Sequence, residues 1–187
     1  YGGGTGPRSS YIDPALQSAA RRAIKAHLYY DTDPAAAVVM VDSHKGYIRA
    51  MASSQRFSTD SQFNLATQAL RQPGSTFKTF VLTRAIQDGI NPYTTLYGSK
   101  KLDFGDKQYG PIHVETYSHT YRGAIPIASA LLSSDNPVFQ QLTLDVGPDK
   151  VIQTAYDMGI PKARDLPDVA SIGLGSGEVT PLDMATA

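Results

Sequence analysis

The chain has 187 residues, a formal net charge of zero and no cysteine. That length suits one domain with a proper core. The charge balance offers nothing to nucleic acid or a membrane surface, and the absence of thiols excludes disulfides and cysteine catalysis without fixing the compartment. No apolar run approaches the roughly 18 residues of a membrane span and no signal peptide is visible, so any membrane anchor is expected outside the chain.

Residues 1–10 are rich in glycine and serine and read as a flexible lead-in, with the folded domain expected over 11–187. From Pro14, apolar residues recur at helical spacing through Leu28, with Asp13 placed to cap the helix and Pro14 in its first turn. Arg21, Arg22 and Lys25 make this helix basic, which reads as a solvated face. Residues 35–41 and 47–51 are strand candidates joined by Asp42-Ser43-His44-Lys45-Gly46, a hairpin that needs a larger sheet to be stable in water. Residues 53–61 are loop-like. Residues 79–88 read as a helix that stops at Gly89.

After Asn91-Pro92 the pattern predicts a long irregular stretch through Gly123, in which Tyr97, Tyr109, Tyr117 and Tyr121 among others favour an ordered, packed segment. Helical spacing returns over 125–132 and ends at Ser133-Ser134-Asp135-Asn136-Pro137. Short helices are expected over 138–145 and 149–158, separated by Gly147-Pro148. Residues 172–180 form a glycine-rich turn region, and another helix begins at Pro181. There are no internal repeats.

Two places carry chemistry. Pro73-Gly74 can make a sharp turn into the 79–88 helix, which puts Ser75 and Lys78 three residues apart on one face, the geometry of a nucleophile and its base. About one Ser-x-x-Lys spacing is expected by chance in such a chain, so this pair does not stand alone. Ser134-Asp135-Asn136 follows a helix and precedes proline. Each residue type favours local hydrogen bonds in turns, so a plain helix end is the competing reading. Taken together, Ser-x-x-Lys and Ser-Asp-Asn are two members of the triplet used by serine acyl-transferases that process penicillin-like and D-Ala-D-Ala substrates.

Other candidates read as structural. Gly173-Leu174-Gly175-Ser176-Gly177 lacks the Gly-Lys-Ser/Thr of a phosphate loop and reads as a tight turn. His113 and His119 lack the spacing and carboxylate partner of a zinc-hydrolase helix, and His27 and His44 are isolated. Glu115 and Glu178, the only glutamates, form no recognisable glycosidase pair. No metal or cofactor is expected.

The strings RQPGSTFK, TRAIQDGINPYTTL, YSHTYRGAIPIASALLSSDNPVFQQL and GLGSGEVTPLDMATA, with SYIDPALQSAA and the hairpin, resemble the transpeptidase domain of a class A bacterial penicillin-binding protein from about Ser10 to the end. The resemblance implies an α+β fold of the serine β-lactamase/D,D-transpeptidase type, an antiparallel sheet flanked by helices plus a helical subdomain. It implies Ser75 as nucleophile toward the D-Ala-D-Ala carbonyl of a peptidoglycan stem peptide, and Lys78 as base. Ser134 would relay a proton, and Asn136 would hold the substrate amide and help position Lys78. The amide N–H of Ser75 would serve as one oxyanion donor. An amine of a second stem peptide would take the acyl group, and β-lactams would acylate the same serine. The alternatives are a serine β-lactamase, a D,D-carboxypeptidase or a non-catalytic β-lactam sensor. Neither glutamate sits in the Glu-x-x-x-Asn pattern that many β-lactamases use for hydrolysis.

Two departures stand out. Thr79 occupies a position where proline is common in the family, a change expected to be tolerated. The family's third motif, Lys-Thr/Ser-Gly on a strand of a five-stranded sheet, does not occur after the second, so a partial domain with impaired activity on its own is expected. The resemblance also implies an upstream glycosyltransferase domain, a membrane anchor outside this segment and a site on the extracytoplasmic face of the plasma membrane.

Overall fold

Helix α1 (Pro14–His27) begins where the chemistry of its cap requires. The Asp13 carboxylate accepts hydrogen bonds from the amides of Ala15 and Leu16 at 2.8 and 3.2 Å, and Pro14 fills a position with no amide to satisfy. A computed structural model describes residues 9–30, 32–55, 58–59 and 62–187. The expected flexible lead-in therefore lies almost wholly outside the described residues, as does part of the expected loop at 53–61.

The chain divides into two compact units, residues 1–69 with 180–186, and residues 70–179 with 187. In the first, α1 packs on the antiparallel hairpin of β1 (Ala37–Val41) and β2 (Ile48–Ser53), which carries an irregularity between Met40 and Val41. The hairpin turn is held by the Asp42 carboxylate, which accepts from the amides of His44 and Lys45. Small residues set the close approach of helix to sheet. Ala20, Ala50 and Ala52 are buried, and Ile24, Val38 and Met40 pack around them. The side chain of Gln17 exchanges two hydrogen bonds with the backbone of Met51, at 2.7 and 2.8 Å, and so satisfies the outer edge of β2 as a neighbouring strand would. The short α2 (Leu65–Gln68) and α7 (Pro181–Thr186) also belong here. Thr180 and Asp183 cap α7 reciprocally, each side-chain oxygen accepting from the other's amide.

In the second unit a 3₁₀ turn, Gly74–Phe77, runs directly into α3 (Lys78–Gln87). The helices α4 (Ile127–Leu132), α5 (Asn136–Val146) and α6 (Pro148–Asp157) pack with it around Phe77, Phe80, Val81, Phe139 and Leu142, all at most 2% exposed. Phe77 and Phe80 meet edge to face at 4.7 Å.

The stretch expected to be irregular is not. It contains β3 (Leu96–Ser99), β4 (Leu102–Asp106), β5 (Gly110–Val114) and β6 (Gly123–Pro126), paired antiparallel as β3 with β6 and β4 with β5. Each strand is only four or five residues long and is punctuated by glycine or proline, so no period-2 run is long enough to show in the sequence. The β4–β5 turn is held by the Asp106 carboxylate, which accepts from the amides of Gln108 and Tyr109. Strand β6 also takes residues 125 and 126 from the expected helix, which begins at Ile127. Packing of the tyrosines holds for two of the four. Tyr97 and Tyr109 donate to the carboxylates of Asp145 and Asp168, whereas Tyr117 is 98% exposed and Tyr121 lies at the surface.

The architecture is α+β, built from small antiparallel sheets and several helices, with the core of the second unit made by helices. The hairpin β1–β2 is the part of the expected larger sheet that the described residues supply.

Candidate active site

Ser75 lies in the 3₁₀ turn, exposed, immediately after Gly74, whose φ of +58° is the left-handed conformation that makes the turn sharp. Three residues on, Lys78 opens α3 and is 1% exposed. Its ammonium donates to the Ser134 carbonyl at 2.8 Å, to Ser134 Oγ at 3.0 Å and to Asn136 Oδ1 at 2.8 Å, and it lies 5.3 Å from the centre of the Phe139 ring. Ser134 Oγ in turn donates to Ser75 Oγ at 2.8 Å. The link from Lys78 to Ser75 thus runs through Ser134, although the helical spacing alone suggests a direct pair.

The turn between α4 and α5 makes this arrangement possible. The amides of Ser134 and Asp135 donate back to the carbonyls of Leu131 and Ala130, closing the end of α4. Ser134 itself adopts φ +52°, which few non-glycine residues do, and this aims both its hydroxyl and its carbonyl at Lys78. Asp135 then caps α5 by accepting from the Val138 amide at 3.0 Å, and Asn136 is the first residue of that helix. The Asn136 side-chain amide reaches the Glu115 carbonyl at 3.5 Å.

All four residues expected from the sequence, Ser75, Lys78, Ser134 and Asn136, therefore come together. The two hydroxyls are exposed and the amine is buried behind them. Burial lowers Lys78 from the usual lysine range to about 8, against an opposing pull from the Asp135 carboxylate. A lysine so placed exchanges its proton near neutral pH, and with Ser134 between it and Ser75 the chain can carry a proton away from an attacking hydroxyl.

Sequence reasoning missed two contributors. Asp135 is 4% exposed, and its second carboxylate oxygen accepts from Ser99 Oγ at 2.6 Å. Ser99, at the end of β3, also accepts from the Arg122 amide at 3.1 Å, so one hydroxyl ties the active-site turn to the β3–β6 sheet. Asp135 could have been suspected from its place between Ser134 and Asn136, but nothing near Ser99 marks it. Replacing Asp135→Asn removes the negative charge that holds the proton on Lys78. The pH at which Lys78 loses its proton is then expected to move down from about 8, read by NMR of isotopically labelled lysine side chains in the intact protein. An unchanged or raised midpoint refutes this.

The remaining candidates stay outside the cluster or play other parts. His113 and His119, expected to lack the arrangement of a zinc-hydrolase helix, lie on a strand and in a loop, and each pairs with a carboxylate. His113 pairs with Asp103 at 2.8 Å and His119 with Glu115 at 2.7 Å, both in exposed pairs. Glu115 also holds Lys101 at 2.6 Å. No group of residues suited to a metal ion occurs among the described residues. Gly175 ends a 3₁₀ turn in the left-handed region, so the glycine-rich string is a turn, as expected. Thr79 is exposed on the first turn of α3, a place where proline and threonine are both accommodated.

Comparison with known proteins gives the family. The family model for the penicillin binding protein transpeptidase domain matches residues 36–187. Penicillin-binding protein 1A of Neisseria lactamica is 35% identical over 152 residues, which are 81% of this chain and 19% of that protein. Penicillin-binding protein 1A of Pseudomonas aeruginosa is 31% identical over 152 residues, 81% of this chain and 18% of that protein. The chain thus spans about a fifth of the length of these curated relatives. Among solved structures, the penicillin-binding protein PonA1 from Mycobacterium tuberculosis in complex with penicillin V superposes with a TM-score of 0.77 at 29% identity, covering 94% of this chain and 48% of that one. With the family model covering most of the chain, including both hydroxyls, the lysine and the asparagine of the site, the chain belongs to the penicillin-binding protein transpeptidase domain family.

Proposed function

We propose that this chain carries the acyl-serine site of a D,D-transpeptidase that cross-links peptidoglycan stem peptides and is acylated by β-lactams. The observation that carries the reading is the continuous Lys78–Ser134–Ser75 hydrogen-bond chain, with Asn136 on the same ammonium. Ser75 Oγ attacks the carbonyl between the two D-alanines of a donor stem peptide, and its proton passes through Ser134 to neutral Lys78. The tetrahedral intermediate collapses with cleavage of the C–N bond. The terminal D-alanine leaves as an amine, protonated from Lys78 by way of Ser134, and an ester remains on Ser75. The amine of a second stem peptide then attacks the ester and regenerates the serine. Asn136 holds the substrate amide, and the Ser75 amide N–H is one donor to the developing oxyanion.

That a Mycobacterium tuberculosis relative is found in complex with penicillin V supports β-lactam binding by this chain. Among the described residues no helix is long and apolar enough to cross a membrane. We place residues 11–187 within the transpeptidase domain of a protein that also carries a glycosyltransferase domain and works on the extracytoplasmic face of the bacterial plasma membrane.

Incubating the intact protein with a fluorescent penicillin should give a covalent adduct whose digestion places the label on the peptide containing Ser75. Absence of an adduct, or a label on another residue, refutes the reading.

A further inference from the structure

The glycine-rich string left without a catalytic role touches the elements that carry Ser75, Lys78 and Asn136. Residues 170–174 form a 3₁₀ turn that ends at Gly175, φ +82°. Gly175 lies against the backbone of Gly74, the residue before the nucleophile. A Cβ at 175 would overlap the nitrogen, the carbonyl carbon and the oxygen of Gly74. Gly173 makes a similar approach to two helices, since a Cβ there would overlap Val81 of α3 and Thr143 of α5. The buried side chain of Gln140, also on α5, donates to the Ala170 carbonyl at 2.8 Å. A few residues further on, Val179 and Arg71 exchange two backbone hydrogen bonds of 3.0 Å, which grip the chain just before the turn. Ser171 Oγ donates to Ser176 Oγ at 3.1 Å and closes the loop on itself.

From these contacts we infer that the 170–179 segment is a template that sets the spacing of Ser75, Lys78 and Asn136, with Gly175 a positioning residue for the nucleophile turn. The inference rests on the acyl-serine reading above. The physical reason is that Asn136, on α5, lies 58 residues from Lys78, and no local sequence fixes how far α5 stands from the 3₁₀ turn and α3, whose own spacing is set by their continuity in the chain. A backbone in contact with all three does so, and glycine at 173 and 175 permits contact without an intervening side chain. Displacing a reacting group by about 1 Å can cost on the order of a hundredfold in rate.

The test is Gly175→Ala in the intact protein beside Gly147→Ala. Gly147 also has a left-handed φ, +94°, but it joins α5 to α6 and makes no contact with the nucleophile turn. Both variants are expected to melt at lower temperature. At a temperature where both are folded, Gly175→Ala is expected to slow penicillin acylation by about ten- to a hundredfold, with the affinity of the initial non-covalent complex within about twofold of the parent. Gly147→Ala is expected to acylate at the parental rate. A parental rate in Gly175→Ala, or equal slowing in both variants, overturns the inference. Should Gly175→Ala fail to fold, Gln140→Leu takes its place, and a parental acylation rate there is the refuting result. If the parent protein itself takes no label at Ser75, the functional reading fails. If the parent is labelled and the glycine variant matches it, only the template does.

Discussion

Lys78→Met in the intact protein should reduce the rate of penicillin acylation by about a hundred- to ten-thousandfold, the range expected on removing a general base. Methionine keeps the length and apolar stem of the side chain and removes the amine, which also ends its hydrogen bonds to Ser134 and Asn136. The pH dependence is the more specific result. Lys78 is lowered to about 8 because its ammonium is buried, and the base is the neutral form. At pH 7 roughly one molecule in ten then has a neutral Lys78. Acylation should rise close to tenfold per unit between pH 6 and pH 7, pass its half-point near 8 and flatten above about 9. The variant should lose this rise. A flat profile from pH 6 to pH 9 in the parent, or a parental rate in the variant, removes Lys78 from the role of base.

How far this site was legible in the sequence depends on how local each contribution is. Ser75 and Lys78 could be read because the turn at Gly74 and the start of α3 lie within four residues of each other. Ser134 and Asn136 could be read only as a second motif, because their meeting with Lys78 spans 56 and 58 residues and no spacing rule reaches that far. The presence of helices α1, α3, α5 and α6 could be read in sequence, and for α1 the cap and the apolar periodicity as well. The strands β3 to β6 did not, since four or five residues broken by Gly98, Gly105, Pro111 and Gly123 give too few alternations to count. Ser99 was lost with them. A serine at the end of an unrecognised strand looks like any loop serine until its partner, a buried aspartate 36 residues away, is in place. Gly175 was read as a turn residue, which it is, but the reason glycine is required there lies in the backbone of Gly74, a hundred residues earlier in the chain.

Ser134 offers the second large effect, because its backbone and its hydroxyl make separate demands. Its φ of +52° is costly for any residue with a Cβ, and the hydroxyl it carries stands between Lys78 Nζ and Ser75 Oγ in the hydrogen-bond chain. Ser134→Ala and Ser134→Gly both delete the hydroxyl, and only glycine is at ease in the left-handed region. Both are therefore expected to slow acylation by about a hundred- to a thousandfold and to nearly the same extent. Ser134→Gly should nevertheless be the more stable of the two by about 1 kcal/mol in denaturant unfolding. In both, Lys78 keeps the Ser134 carbonyl and Asn136 Oδ1 as acceptors, so the amine stays in place and the loss reports on the missing relay. If both variants acylate at near the parental rate, Lys78 must take the proton from Ser75 directly and Ser134 is not the relay. If alanine slows the reaction and glycine does not, the effect of alanine is one of backbone geometry, and the hydroxyl is again not what carries the proton.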